Sequence, residues 1–385
     1  MPSRRDVLAG LSAAGAAGLA GCSGGSFSPG RDGSTEWPVP GYNVRGTNYA
    51  RNAAAPRTKP SERWSAKTGL AVGRIVVADG AVLVPAADAL YAFDVRSGDE
   101  RWRVPLKPYG VAVADGVAFV TLRDEPAVVA LATADGSEQW RTETAGQFGS
   151  APLPAPTSDV VFAGDTTGRV TALSQQEGAR RWSFDAFTGV YSLAARGERL
   201  YVGTTGGTAY ELHASGDAVT PVWRRKIPGT VRGLAVQNDS VYVGAFGGGF
   251  LRLFGGAHAG RTAWHAPDAP TVTDAVVFTG ESVLGADGGG VAAYDADSGS
   301  ERWRWSADGS SAASAPAAAG DTLYVGVDGR LRAFELGGGT GVGPYRFGAQ
   351  RWSYDVLPRC VAVADGAVFA AADDVHGSPG VVALE

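Results

Sequence analysis

The chain has 385 residues, with 34 Lys and Arg against 39 Asp and Glu, a formal charge of −5, 44% apolar residues and ten Trp. That composition excludes a wholly disordered chain and lacks the basic excess that a phosphate backbone demands, so nucleic acid is not an expected partner. Only two cysteines, Cys22 and Cys360, and four scattered histidines, at 213, 258, 265 and 376, are present, which excludes a disulfide framework and leaves no metal site to expect.

Residues 1–21 read as an address and not as part of the fold. Arg4-Arg5 followed by the apolar run Val7 to Ala20 resembles a twin-arginine export signal, and the run is too short to span about 30 Å of hydrocarbon as a helix. Leu19-Ala20-Gly21-Cys22 resembles the lipobox of prokaryotic lipoproteins. The resemblance implies cleavage before Cys22, a lipid on its sulfur and an anchored protein on the extracytoplasmic face of the membrane. Residues 22–36, rich in Ser and Gly, then form a flexible tether. Residues 37–61 open with Trp37-Pro-Val-Pro-Gly-Tyr42-Asn43 and are expected to pack on the following domain, 62–385.

That domain repeats. Tryptophans recur at 64, 102, 140, 182, 223, 264, 303 and 352, at intervals of 38, 38, 42, 41, 41, 39 and 49 residues, the period of a four-stranded propeller blade. Each period holds two hairpins. The first turns at Asp79-Gly80, Asp115-Gly116, Asn238-Asp239, Asp365-Gly366 and their equivalents, dipeptides that accept the positive φ of a tight turn. The second turns on an Asp and a Gly, with Trp four residues beyond the Gly, as at Gly98/Trp102, Gly136/Trp140, Gly178/Trp182 and Gly299/Trp303. Blades 4 and 5 lose this pattern, and blade 7 carries a Gly-rich insertion at 336–348.

The expected fold is therefore all-β, an eight-bladed propeller of four-stranded antiparallel blades. The last repeat, Val361 to Leu384, has no Trp strand of its own, whereas Arg63-Trp64-Ser65 is a Trp strand without a blade. The N-terminal strand should complete blade 8 and leave no open sheet edge. One indole at the same place in every blade is read as the wedge that docks it on its neighbour, because a single ligand cannot use eight equivalent positions. Trp37 and Trp305 stand outside the period.

The Ala-Phe-Asp-x-x-x-Gly-x-x-x-Trp grammar, as in Ala92 to Trp102, resembles the pyrroloquinoline-quinone-like (PQQ-like) propeller repeat over residues 62 to 385. The opening segment resembles that of the family's lipoprotein members, and Lys supplies only 4 of the 34 basic residues, which fits a GC-rich or haloarchaeal source. Two functions follow from the resemblance. One is a non-catalytic binding scaffold similar to outer-membrane-assembly lipoproteins of the BamB type. The alternative is a PQQ-dependent oxidoreductase or quinone binder, which as a family uses a catalytic Asp, calcium held by acidic and amide oxygens and often paired cysteines. The repeat Asp residues are accounted for as turn formers, and no adjacent cysteines, Gly-x-Ser-x-Gly elbow or nucleophile–base pair is found, so no catalytic residue and no cofactor is expected. Cys360 reads as a small buried hydrophobe, and the Gly runs at 247–249, 288–290 and 337–339 read as turns.

Function is expected where the innermost strands reach one face. Five or six residues before each first turn stand Arg74, Tyr109, Phe148, Tyr191, Arg232, Asp274, Ser314 and Arg359. Of these, Arg74, Tyr109, Tyr191, Arg232, Asp274 and Arg359 are taken as a channel-mouth ring for an anionic or extended ligand, or for a protein partner.

Overall fold

The structure is a computed structural model, and it describes residues 36–155, 157–215, 217–270, 275–307, 313–342 and 345–385. The expectations for Arg4, Arg5 and Cys22 therefore lie outside the described residues. Eight blades of four antiparallel strands stand around a central axis, each wound outward from the channel. Blade 1 is Val76–Ala78, Ala81–Pro85, Leu90–Asp94 and Glu100–Val104. Blade 4 is Val190–Arg196, Arg199–Thr204, Thr208–Ser215 and Ala218–Lys226. Blade 7 runs from Ala317–Ala319 to Gln350–Tyr354, and its insertion forms a small hairpin, Thr340–Val342 against Tyr345–Phe347.

Blade 8 closes the ring as expected. Glu62–Lys67 pairs with Ser378–Leu384, placing Trp64 opposite Ala383, and Ser61 and Glu385 exchange backbone hydrogen bonds of 2.8 and 2.9 Å. Arg63 spans the seam, donating to the carboxylates of Glu385 and Asp365 at 2.7 and 3.2 Å.

The first turns lie together on one face of the ring. Asp79, Asp115, Asn238 and Asp365 have φ between 45° and 52°, the left-handed region that Asp and Asn tolerate. In the second turns a carboxylate organises the loop. Asp94 accepts the amides of Arg96 and Ser97 and pairs with Arg101, and Asp295 does the same with Asp297, Ser298 and Arg302. The arginine contact first, and then the loop amides, hold both carboxyls well below the usual range.

The indoles of blades 8, 1, 2, 5 and 6 reach the second turn of the next blade. The Nε1 of Trp64, Trp102, Trp140, Trp264 and Trp303 donates to the carbonyl of Val95, Thr133, Gln175, Ala296 and Leu336, at 2.8–3.1 Å. Trp182 packs on Phe162, with ring centroids 5.5 Å apart. For Trp352 the carbonyl is that of Pro56, at 3.0 Å. Trp223 keeps its ring against Gly260 of the blade 5 turn and departs only in its N–H bond. Its indole bonds instead to Glu211 of its own blade, a carboxylate 1% exposed that also pairs with Arg199. Off the period, Trp37 is fully buried and Trp305 packs tilted against Phe334, with ring centroids 5.2 Å apart.

The turn Gly lies flat on the previous blade's indole, so the motif encodes contact between blades as well as a turn. At Gly299, φ is +72° and a Cβ would sit 2.6 Å from the Trp264 ring. Gly366 has a similar φ of +74° with open space around it. Gly299→Ala should therefore cost about 2–5 kcal/mol, left-handed strain plus overpacking, and Gly366→Ala only the strain of about 1–2 kcal/mol. Urea midpoints of the two variants test this, and equal losses would show that the indole does not demand the glycine.

Candidate ligand pit at the centre of the ring

The segment from Trp37 to Ala50 threads around the end of the channel where the first turns lie. Its backbone bonds to the innermost strands in succession: Trp37 with Val77, Pro38 with Val113, Val44 with Ala195, Arg45 with Val236, Thr47 with Phe278 and Asn48 with Ala318. Tyr49–Ala50 then adds a parallel strand to blade 7. These strand ends would otherwise present unpaired amides and carbonyls, so the segment satisfies the backbone of six blades at once. Its own fold is held by Tyr42 at φ 70° against Trp37, centroids 5.1 Å apart, and by Asn43, which bonds to Thr47 at 2.8 Å. Gly46, at φ +70°, approaches Leu234 so closely that a Cβ would lie 2.2 Å from its carbonyl oxygen.

The channel is thereby converted to a pit of about 460 Å³, floored by Val39, Pro40, Asn43, Gly46 and Asn48 and open at the other face. Arg74, Tyr109, Tyr191, Arg232 and Arg359 all line it. Arg74 reaches the floor, donating to Asn48 Oδ1 at 2.6 Å. Tyr109 donates to the Gly149 carbonyl at 2.9 Å. The Arg232 guanidinium lies 5.3 Å from the Tyr191 ring centroid and 4.7 Å from that of Phe246. Arg359 stands half-exposed at the mouth in a bidentate pair with Asp373, so its charge is already matched. Cys360 lies in the wall, its thiol 3.6 Å from the Gly73 carbonyl and pushed up in pKa by burial.

Other residues of the expected ring fall elsewhere. Phe148 is buried between blades 2 and 3, and Gly149 and Ser150 take its place in the lining. Ser314 turns into the blade, where its hydroxyl accepts the Gly326 amide at 2.7 Å, and Ala313 and Ala315 face the pit. Both are slips of one residue, which in extended chain reverse the direction of the side chain. Asp274 lies outside the described residues. The floor was not anticipated as part of the site, and its only sequence signal is the density of Pro, Gly and Asn from 38 to 48.

Among the described residues, the lining contains neither Asp nor Glu. Its two asparagines are engaged, Asn43 with Thr47 and Asn48 with Gly46, Val276 and Arg74. These described residues do not fit a calcium-assisted quinone, which needs acidic oxygens for the cation and a catalytic carboxylate. They fit neutral or anionic groups better, through guanidinium, phenol and backbone donors.

The repeat family described as outer membrane protein assembly factor BamB matches residues 45–187, 86–215, 166–304 and 255–384, together nearly the whole domain. The chain belongs to the BamB family of PQQ-like repeat propellers. The structure of BamB from Moraxella catarrhalis superposes on this BamB-family chain with a TM-score of 0.68 at 18% identity, covering 85% of this chain and 97% of that one. The quinohemoprotein alcohol dehydrogenase ADHIIG of Pseudomonas putida HK5 gives 0.74 at 13% identity, covering 94% and 81%. At such identities the likeness shows the fold alone, and it extends to a dehydrogenase as readily as to BamB. The serine/threonine-protein kinase AfsK of Streptomyces griseus is 32% identical over 184 residues, 41% of this chain, which spans only 22% of that kinase.

Proposed function

We propose that this protein is a membrane-anchored, extracytoplasmic scaffold that holds a partner or ligand at the open mouth of its ring, and that it is not catalytic. The observation that carries the reading is the placement of the N-terminal segment. The described chain starts on the closed face, where Glu36 accepts the Asp79 amide at 3.0 Å, and the Arg- and Tyr-lined mouth opens on the opposite face. A lipid on Cys22, joined through the tether to that closed face, leaves the mouth turned toward solvent and partners. The BamB likeness supports the same reading.

The test is photo-crosslinking in intact membranes, with the reactive group at Tyr109 in the mouth or at Asp115 on the closed face. A defined adduct from the mouth alone, together with release of Cys22→Ala protein from the membrane fraction, is the expected result. Stoichiometric quinone in the purified protein, or dye reduction after loading with quinone and Ca²⁺, would overturn it in favour of an oxidoreductase.

A further inference from the structure

Beside the mouth, blades 3 to 5 present a surface that meets the pit only at Phe246, the ring under Arg232. Phe187, in the loop leading from blade 3 into blade 4, is 75% exposed at φ 67°. The other non-glycine residues at positive φ are Asp, Asn, one His and the buried Tyr42, so among the described residues Phe187 alone holds a solvent-facing apolar ring in this strained region. The loop is pinned: the Ala186 amide bonds to Gly168 at 2.7 Å, and the Ala186 carbonyl accepts the Tyr210 hydroxyl at 2.9 Å. Tyr210 is in turn edge-on to Phe184 at 5.6 Å.

Phe246, 45% exposed, stands on a turn of blade 5. The turn at Thr205 ties the loop after Phe187 to the start of blade 5, its amide bonded to Gly189 at 2.8 Å and its carbonyl accepting the Thr230 hydroxyl at 3.1 Å. Val222, 46% exposed, adds apolar surface on the outer strand of blade 4.

That strand ends in Arg224-Arg225-Lys226. Arg224 lies 5.9 Å from the Phe187 ring centroid, Arg225 contacts the Thr262 hydroxyl at 3.5 Å and Lys226 donates to the Gly206 carbonyl. None of the three pairs with a described carboxylate, whereas Arg101, Arg302 and Arg351 pair with Asp94, Asp295 and Asp321. A compact cationic run in a chain of net charge −5 is a local reversal of sign. Pro221, on the same edge strand, removes an amide that an added strand would need.

We propose that this surface docks an extended, acidic segment of a partner protein. An aromatic or aliphatic side chain of that segment seats against Phe187 and Phe246, and its carboxylates meet Arg224, Arg225 and Lys226. Recognition runs through side chains, because the edge is blunted by Pro221. The inference rests on the scaffold reading and names its partner's chemistry. Rigid aromatic anchors beside cations that no described carboxylate matches are what fast, specific association with an acidic chain requires.

The test is fluorescence anisotropy of the full protein with a labelled Glu-rich peptide carrying one central Phe. Saturable binding that weakens with added salt is expected. Phe187→Gly, which removes the ring and relieves the strained backbone, and Arg224→Glu should each weaken it about tenfold or more. Loss of the peptide's Phe should have a similar effect, and a melting temperature no lower than the parent's shows that Phe187→Gly remains folded.

No binding, equal binding of a Lys-rich peptide, or binding indifferent to both substitutions would overturn the proposal. So would failure of the peptide together with flotation of the protein on phosphatidylglycerol vesicles. A mouth-specific adduct in membranes that persists in Phe187→Gly protein would sink this surface while leaving the scaffold reading standing.

Discussion

Removing residues 379–385 should abolish folding instead of merely weakening it. Ser378–Leu384 is bonded on one side to Ala367–Val375 and on the other to Glu62–Lys67, so its loss strips both neighbours of their ladder bonds. Val381, Val382 and Leu384 are all buried, and at about 1.5–3 kcal/mol for each side chain the deletion forfeits about 5–9 kcal/mol of burial. Total stability of a folded domain is about 5–15 kcal/mol, so little remains. Trp64 would also lose the strand that aims it at Val95 and Phe93. The expected result is a chain that elutes as aggregate and shows no cooperative melting by circular dichroism. A truncated chain that melts cooperatively at the parent temperature would show that the two ends do not share the last sheet.

The same physics explains what could be read from the sequence. A blade is a local unit stacked on copies of itself, so its turn dipeptides and its indole must recur, and closure by Trp64 follows from counting strands at the two ends. The contact between the turn Gly and the preceding indole is also local in pattern, although its partner lies in the blade before. Register within the innermost strands is a weaker signal. In blades 1, 3 and 7 the predicted residue stands ahead of a strand of only two or three residues, Val76–Ala78, Leu153–Pro154 and Ala317–Ala319, so alternation does not fix which residue faces the channel: Arg74 faces it, and Phe148 and Ser314 slipped. The pit floor escaped for another reason. Its segment occurs once, and it is held largely by backbone hydrogen bonds, which leave no side-chain periodicity to detect. Phe187 escaped too, because nothing in a repeat marks a loop ring as exposed.

Trp37→Ala should have the second large effect, and a local one. The indole is fully buried against Tyr42, and its Nε1 donates to the Pro40 carbonyl at 3.3 Å. Truncating a buried Trp to Ala costs about 3–5 kcal/mol. That cost falls on the first clamp of the floor, since Trp37 exchanges backbone hydrogen bonds with Val77 and Pro38 accepts the Val113 amide. The later clamps at Ala195, Val236, Phe278 and Ala318 are made by residues 44 to 48, beyond the Tyr42 turn, and can persist. Native-state hydrogen exchange should therefore show the amides of Val77 and Val113 opening far below the global free energy, with Ala318 still close to it. The pit would then be open at both ends over blades 1 and 2 while the ring stays closed, because Trp64 and the strand Ser378–Leu384 are untouched. Uniform acceleration of all six amides would mean that the floor is one cooperative unit with the ring, and that channel and plug cannot be separated by a single side chain.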